Sequence, residues 1–245
     1  MAGGRASRQK LKRYKALPFV FNTPMRRLSK TILLSIVLLL ALPAISLATL
    51  SEVGVIGTTT PVTAPSCPGS PCLAVSQTTG YQVKVGSTRG LVTVPRNGTI
   101  VAWTIMLGKP NATQIKFFNT NEGGDASAGI AILSPQPKPN LTYKLVAQSP
   151  IIALEPYFGK TAQFPLASTL TVKKGDVVAL TVPSWAPALA LGFSNATSWR
   201  ASRPKKQCSS TNTETTQTQV GSAVQYYCLY HAARLTYSAT LISTP

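Results

Sequence analysis

The sequence predicts an all-β fold, an antiparallel β-sandwich that follows an apolar N-terminal segment. After Cys72, short runs rich in β-branched and aromatic residues are separated by Gly, Pro and Asn, as in proteins built from short strands. No segment beyond the apolar one shows a sustained helical period. The turn signals are closely spaced and no repeat of fixed length is present, which favours a sandwich over a helical or α/β fold.

The N-terminal part consists of a basic region and an apolar region. Residues 1–30 carry nine Lys/Arg and no acidic residue, whereas residues 31–48 carry no charge. A basic region, an apolar region and small residues at a cleavage site, in that order, are typical of an export signal. We expect cleavage after Ala48. The uncharged run is also about 20 residues long, enough to remain as a membrane anchor. The translation start, Met1 or Met25, stays open.

These features predict a domain organisation and a location. We expect a basic region over 1–30, a signal peptide or anchor over 31–48, a Thr/Pro-rich tether over 49–72 and a β-sandwich domain over 73–245. If the leader is uncleaved, the chain meets the membrane through residues 31–50. The protein is therefore predicted to be secreted or membrane-anchored, with its C-terminal domain outside the cell.

The four cysteines all lie after the leader and predict two disulfides. An even number of cysteines in an exported chain is typical of a disulfide framework, although three pairings are possible. The turn-rich segment from Cys67 to Cys72 brings its ends together locally, so we favour bonds 67–72 and 208–228. Zinc is the alternative, but this spacing fits zinc-finger patterns poorly. No metal and no cofactor are predicted.

The strands of the sandwich are predicted from short apolar runs in chain order. Two hairpins are expected, one turning at residues 95–98 and one at Lys173–Asp176. Over the last strand, from Tyr227 to Leu241, alternate residues are apolar and face the core. The other predicted strands are 91–94, 99–107, 114–119, 128–133, 141–148, 169–172 and 177–182.

The closing segment carries a resemblance to known proteins. The pattern V-x-K-G-D-x-V-x-L over residues 172–180 resembles the hairpins of jelly-roll domains, including lectin-like and trimeric receptor-binding ones. The segments TVKKGDVVALTVPSWAP and ARLTYSATL are similar to exported proteins of high-GC Gram-positive bacteria for which no activity is known. The resemblance covers about the C-terminal two-thirds of the chain and implies a jelly-roll-like sandwich without implying an activity.

Catalytic residues are scarce, so we predict that the protein is not an enzyme. The single histidine, His231, falls on the inward-facing side of the last predicted strand, and no G-x-S-x-G motif is present. Glycoside hydrolysis needs two opposed carboxylates, and nothing in the sequence pairs Glu122, Asp125 and Glu155. The loop that contains Glu122 and Asp125 is expected to be solvated, with Ca²⁺ binding as the alternative.

Binding is the better prediction, and it rests on two groups of residues. Aromatic residues on predicted loops are able to stack on sugars or fill a partner's pocket. A basic loop is able to meet phosphate or acidic polysaccharide, whereas no motif for nucleic acid is present. The candidate ligand-binding residues are Tyr157, Phe158, Trp185, Arg200, Arg203, Lys205 and Lys206.

We therefore predict a non-catalytic, exported or surface-tethered β-sandwich binding module for a cell-envelope polysaccharide or a surface protein. One alternative is a structural envelope or adhesion component whose copies contact each other. A third possibility is an unrecognised hydrolase, which the small number of acidic residues and the single histidine disfavour.

Overall fold

The computed structural model describes residues 48–55, 63–209 and 213–243. The predicted basic region and most of the predicted signal or anchor lie outside these ranges. Predictions about the translation start and the membrane anchor therefore stay predictions. Within the described ranges, no helix combines the length and the apolar character needed to cross a membrane.

The described residues form strands with a single α-helix, α1, over Ala112–Asn121. Every strand pair is antiparallel, so the predicted all-β antiparallel class is confirmed. The strands are β1 Thr49–Val53, β2 Val75–Val85, β3 Thr88–Arg89, β4 Gly98–Met106, β5 Ser127–Pro135, β6 Thr142–Gln148, β7 Ile152–Ala153, β8 Thr161–Val172, β9 Val177–Ala186, β10 Leu189–Leu191, β11 Ser198–Ala201, β12 Ala223–Gln225, β13 Cys228–His231, β14 Ala233–Leu235 and β15 Tyr237–Ser243.

The strands assemble into two main sheets and a short ribbon. The four-stranded sheet has the order β1-β15-β4-β8, and β10 pairs with β14 in the ribbon. The larger sheet follows the path β12-β6-β5-β9-β2-β11-β13, with β3 added to β2 and β7 added to β5. Eight strands have five or more residues: β1, β2, β4, β5, β6, β8, β9 and β15. In this set the first strand pairs with the last (β1 with β15) and the second with the seventh (β2 with β9). The third pairs with the sixth (β4 with β8) and the fourth with the fifth (β5 with β6).

The core is formed by apolar side chains of both sheets, together with tyrosines whose hydroxyls are all bonded. The Tyr237 hydroxyl donates to Val178 O at 2.8 Å, and the Tyr226 hydroxyl donates to Gln217 Oε1 at 2.7 Å. Burial raises the pKa of both phenols well above the usual value. These tyrosines therefore stay neutral and bring no charge into the core. The largest fully buried side chains include Trp103, Trp185, Ile100, Ile130 and Leu180.

Both predicted hairpins are wrong in their pairing, although the second turn is present. Residues 91–94 form no strand and instead lie beside the start of β9, where Val178 N donates to Val92 O. At the second turn, Asp176 Oδ2 accepts a hydrogen bond from Lys173 N at 2.8 Å. The strands that this turn joins, β8 and β9, belong to different sheets. The turn therefore carries the chain across the sandwich.

The predicted tether contributes to the folded domain at both of its ends. Thr49–Val53 forms β1, which pairs along its whole length with β15. Cys67 is buried and is bonded to Cys72, and Cys208 is bonded to Cys228, so the predicted disulfide pairing is confirmed. The two disulfides indicate an oxidising environment outside the cytoplasm.

The polar segment that precedes Cys228 is also held by hydrogen bonds. Thr215 N donates to Gln77 O, and Gln217 N donates to Thr79 Oγ1. The disulfide is therefore not the sole restraint on this segment.

The last predicted strand is interrupted at Ala232, which has a left-handed backbone with φ of 57°. The side chains that face the core have even residue numbers before Ala232 and odd residue numbers after it. Tyr226 and Cys228 are buried before it, whereas Ala233 and Leu235 are buried after it. The prediction that His231 faces the core is therefore wrong: its side chain is exposed, and its Nδ1 lies 3.2 Å from Asn195 O.

We expect Ala232→Gly to stabilise the protein, because glycine adopts positive φ without the steric penalty of a Cβ. The free energy of unfolding should rise by up to about 1 kcal/mol, measured by chemical denaturation. The control is Ala233→Gly in β14, where the side chain is buried, and that change should lower stability by about 1 kcal/mol. Equal losses in both variants would contradict the interpretation of Ala232.

Candidate functional site

Helix α1 occupies the segment that was predicted as the strand 114–119, and its first turn explains the difference. Asn111 is the N-cap residue: its Oδ1 accepts from Gln114 N at 2.9 Å, and Gln114 Oε1 accepts from Asn111 N at 2.9 Å. This reciprocal pair is a capping box, which satisfies two backbone donors that a helix start leaves open. The Asn-x-x-Gln spacing is visible in the sequence and is the signal that identifies the helix.

The helix packs on Trp185, which is fully buried in β9 and does not lie on an exposed loop as predicted. The Phe118 ring stacks on the indole with ring centroids 4.7 Å apart, and the Phe158 ring lies 5.5 Å from it. The Trp185 side chain is therefore enclosed by aromatic rings and cannot stack on a ligand. Its role is to hold α1 against the sheet.

The indole N–H also fixes a polar cluster at the end of the helix. Trp185 Nε1 donates to Asn119 Oδ1 at 2.8 Å. Because an indole nitrogen only donates, it sets the orientation of the Asn119 amide and turns Nδ2 outward. Nδ2 donates to Asp125 Oδ1 at 3.1 Å and to Glu155 Oε1 at 3.3 Å. The amide thus joins two exposed carboxylates that the sequence did not pair.

A groove lies between α1 and the loop closed by the Cys67–Cys72 disulfide. It has a volume of about 590 Å³. Gln114 Nε2 donates to Pro68 O at 3.1 Å and ties the loop to the helix. At the base of the loop, a Cβ added at Gly108 would lie 2.7 Å from Cys67 O, so only glycine allows this approach. The groove is lined by Pro68, Ser70, Cys72, Thr113, Gln114 and Phe117, among others.

Phe117 is the exposed aromatic residue of this groove. Its side chain is 58% exposed, and its ring meets the edge of the Phe118 ring with centroids 5.5 Å apart. The buried Phe118 ring therefore supports Phe117 from one side, while the rest of the Phe117 ring faces solvent. Phe117 therefore offers an exposed apolar ring on one side of the groove.

The other predicted aromatic residues take packing positions. Tyr157 and Phe158 are half-buried, and Tyr157 meets the edge of the Phe164 ring at 5.0 Å. Phe158 contacts Trp185, as described above. Neither residue lines the groove.

Of the four basic residues in the predicted loop, the two arginines have structural roles and the two lysines are exposed. Arg200 Nη1 donates to Tyr226 O and Tyr227 O, and the buried Arg203 donates to Ser76 O. Both guanidinium groups are thereby used to hold backbone carbonyls. Lys205 and Lys206 are exposed, and Lys205 Nζ lies 5.6 Å above the Tyr227 ring.

The groups that a metal or a hydrolase would need do not assemble around His231. Its described hydrogen-bond partner is the Asn195 backbone, whereas Asp125 and Glu155 are joined through Asn119. Within the described ranges, no three acidic, His or Cys side chains form a group that could hold a metal ion.

No family model, curated protein or solved structure matches the chain. The geometry of the groove and of the Asn119 cluster is therefore the basis for a functional inference.

The Trp185 hydrogen bond predicts a specific loss of stability. Trp185→Phe keeps an aromatic ring but leaves Asn119 Oδ1 without its donor. We expect the free energy of unfolding to fall by about 1–3 kcal/mol more than in Trp199→Phe. Trp199 is the matched control because it is also buried, yet its Nε1 has no hydrogen-bond partner among the described residues. Chemical denaturation measures both values, and equal losses would show that the Trp185 N–H contributes nothing.

Proposed function

We propose that this chain is an exported, non-catalytic binding module that binds carbohydrate in the groove between α1 and the disulfide loop. The observation that carries the proposal is the Phe117 ring, which is supported by Phe118 and 58% exposed beside a groove of about 590 Å³. That volume lies within the range of small-molecule sites, roughly 300–1,000 Å³.

The chemistry of the groove suits a sugar. A sugar ring presents an apolar face of C–H groups and a rim of hydroxyls, so it needs an aromatic surface and polar partners. Phe117 supplies the surface, while Thr113 and Ser70 supply exposed hydroxyls at the edge of the groove. The groove is held by the capping box and by the disulfide, so little order has to be gained on binding.

The compartment and the strand pairing support the same proposal. Two disulfides fit an oxidising milieu, and the apolar segment 31–48 fits export to the cell envelope, by secretion or by a retained anchor. The pairing of first strand with last, second with seventh, third with sixth and fourth with fifth is that of a rolled-up hairpin. It supports a jelly-roll arrangement, which lectin domains also use.

Removal of the Phe117 ring tests the binding site. We expect Phe117→Ala to weaken binding to cell-wall polysaccharide or glycan arrays at least tenfold, because the stacking surface is lost. The melting temperature should change little, since the side chain is largely exposed. Phe117→Tyr keeps the ring and serves as the matched control. Unchanged binding by Phe117→Ala, or no glycan binding by the unmodified protein, would contradict the proposal.

A second candidate function is glycoside hydrolysis, favoured by the two carboxylates that Asn119 joins. Their oxygens are no farther apart than the two hydrogen bonds of 3.1 and 3.3 Å together, which is short enough for a pair of catalytic carboxylates. Binding is preferred because both Asp125 and Glu155 are exposed, whereas the acid of a glycosidase needs a desolvated setting.

Conservative variants of the carboxylates separate the two functions. If the pair is catalytic, Asp125→Asn and Glu155→Gln should each abolish the hydrolysis of glycosides that the unmodified protein cleaves. If binding is the function, we expect no cleavage by any of the three proteins. Cleavage that the two variants retain would exclude this pair as the catalytic site.

A further inference from the structure

The turn between β8 and β9 lies at the centre of a cluster of exposed basic residues. Lys173 and Lys174 belong to this turn, and both side chains are exposed. Lys174 N donates to Asn97 Oδ1 at 2.8 Å, which brings the exposed Arg96 next to the turn. Three cations from two separate segments are therefore held together at one end of the sandwich.

Two further exposed cations come from the strands on one side of β9. Leu133 of β5 lies opposite Val177, the first residue after the turn, so the end of β5 lies beside the turn. Lys138 is exposed in the hairpin that follows β5. Lys144 is exposed on β6, where it lies opposite Ser134 of β5. Both lysines therefore lie at the same end of the sandwich as the turn.

Another exposed cation lies on the opposite side of β9. Thr93 forms a bridge with Val177, and Thr93 N donates to Gly90 O at 2.9 Å. Arg89, the residue before Gly90, is exposed. We call the six exposed cations around the turn the basic patch: Arg89, Arg96, Lys138, Lys144, Lys173 and Lys174.

The acidic residues of the domain compensate this patch only in part. Asp176 belongs to the same turn, but it is buried, and its Oδ2 accepts a hydrogen bond from Lys173 N. Asp125 and Glu155 belong to the polar cluster at the end of α1, and Glu52 accepts hydrogen bonds from hydroxyls of β15. In the part of the chain that the structure describes, no carboxylate is hydrogen-bonded to a side chain of the basic patch. The patch therefore carries a net positive charge.

We propose that the basic patch binds an acidic polysaccharide through the carboxylate groups of the sugar chain. Its cations come from separate turns and strands, so they form a broad surface instead of a pocket. Adjacent strands are about 5 Å apart, and the cations around β9, β5 and β6 therefore extend over roughly 10 Å. Charges spread in this way match an anion with charges repeated along its length better than a single small anion. The site is separate from the groove beside α1 and does not depend on binding there.

The absence of exposed apolar groups from the patch favours a polysaccharide over two other kinds of polyanion. A surface for single-stranded nucleic acid adds aromatic rings that stack on bases, and a surface for lipid adds apolar side chains that enter the membrane interface. Among the described residues, no large exposed apolar side chain lies within 88–97, 136–144 or 173–176. The patch supplies charge alone, which suits a hydrated chain of acidic sugars.

Polygalacturonate and its methyl ester have the same backbone and differ in charge, so they test the proposal with the unmodified protein. We expect polygalacturonate to bind, with an affinity that falls about tenfold or more between roughly 50 and 200 mM NaCl, because salt screens exposed charges. The methyl ester should bind about tenfold more weakly or not at all. Surface plasmon resonance measures these affinities.

Two triple variants separate the basic patch from the overall charge of the protein. Arg96→Gln/Lys173→Gln/Lys174→Gln removes half of the patch and should weaken polygalacturonate binding about tenfold or more. The matched control, Lys109→Gln/Lys116→Gln/Lys160→Gln, removes the same charge from exposed side chains at the α1 end and should weaken binding less than about threefold. Both variants should keep the melting temperature of the unmodified protein within a few degrees, because all six side chains are exposed.

Several outcomes would overturn the proposal. Equal losses in the two triple variants would show that net charge, and not the patch, controls binding. Equal binding of the methyl ester, or no binding of polygalacturonate, would exclude recognition of carboxylate groups. Tighter binding to phosphatidylglycerol vesicles or to duplex DNA than to polygalacturonate would assign the patch to a different partner.

Discussion

The position of β15 between β1 and β4 is the constraint on which the rest of the molecule depends. The last strand of the chain supplies the centre of the four-stranded sheet, and its inward residues Tyr237, Ala239 and Leu241 are all buried. Until it is in place, β1 has no partner and the larger sheet has an uncovered face. Such pairing joins residues up to 194 positions apart in the sequence, so we expect slow folding of the kind seen in β-proteins with many non-local contacts.

The sequence predicts the fold class and the disulfides well, because both depend on local composition and compartment. It predicts strand pairing poorly. The turn at Asp176 is visible as a local pattern, but whether the chain then returns along the same sheet or crosses to the other depends on which faces are covered. In the same way, one left-handed residue, Ala232, shifts every side chain before it to the opposite face, and nothing at that position marks it as different.

The candidate sites were predicted less well, for a related reason. An aromatic ring between prolines, such as Trp185, is typical of a loop, and only the packed helix reveals that the ring lies beneath it. The guanidinium groups of Arg200 and Arg203 count as surface charge in a sequence, yet both hold backbone carbonyls of neighbouring strands. Charge and aromatic content identify candidates, whereas hydrogen-bond partners decide their roles.

The register of β15 also determines which parts of the chain lie at each end of the sandwich. Thr49 lies opposite Ser243, and Ser243 lies opposite Gly98, so both ends of the folded chain meet at one pole of the sandwich. Helix α1 lies at the other pole, where Met106 N bonds to Thr236 O. Strand β4 connects the two poles, a span of roughly 25–30 Å at the usual rise per residue. Helix α1 and its groove therefore lie at the end of the domain opposite Thr49.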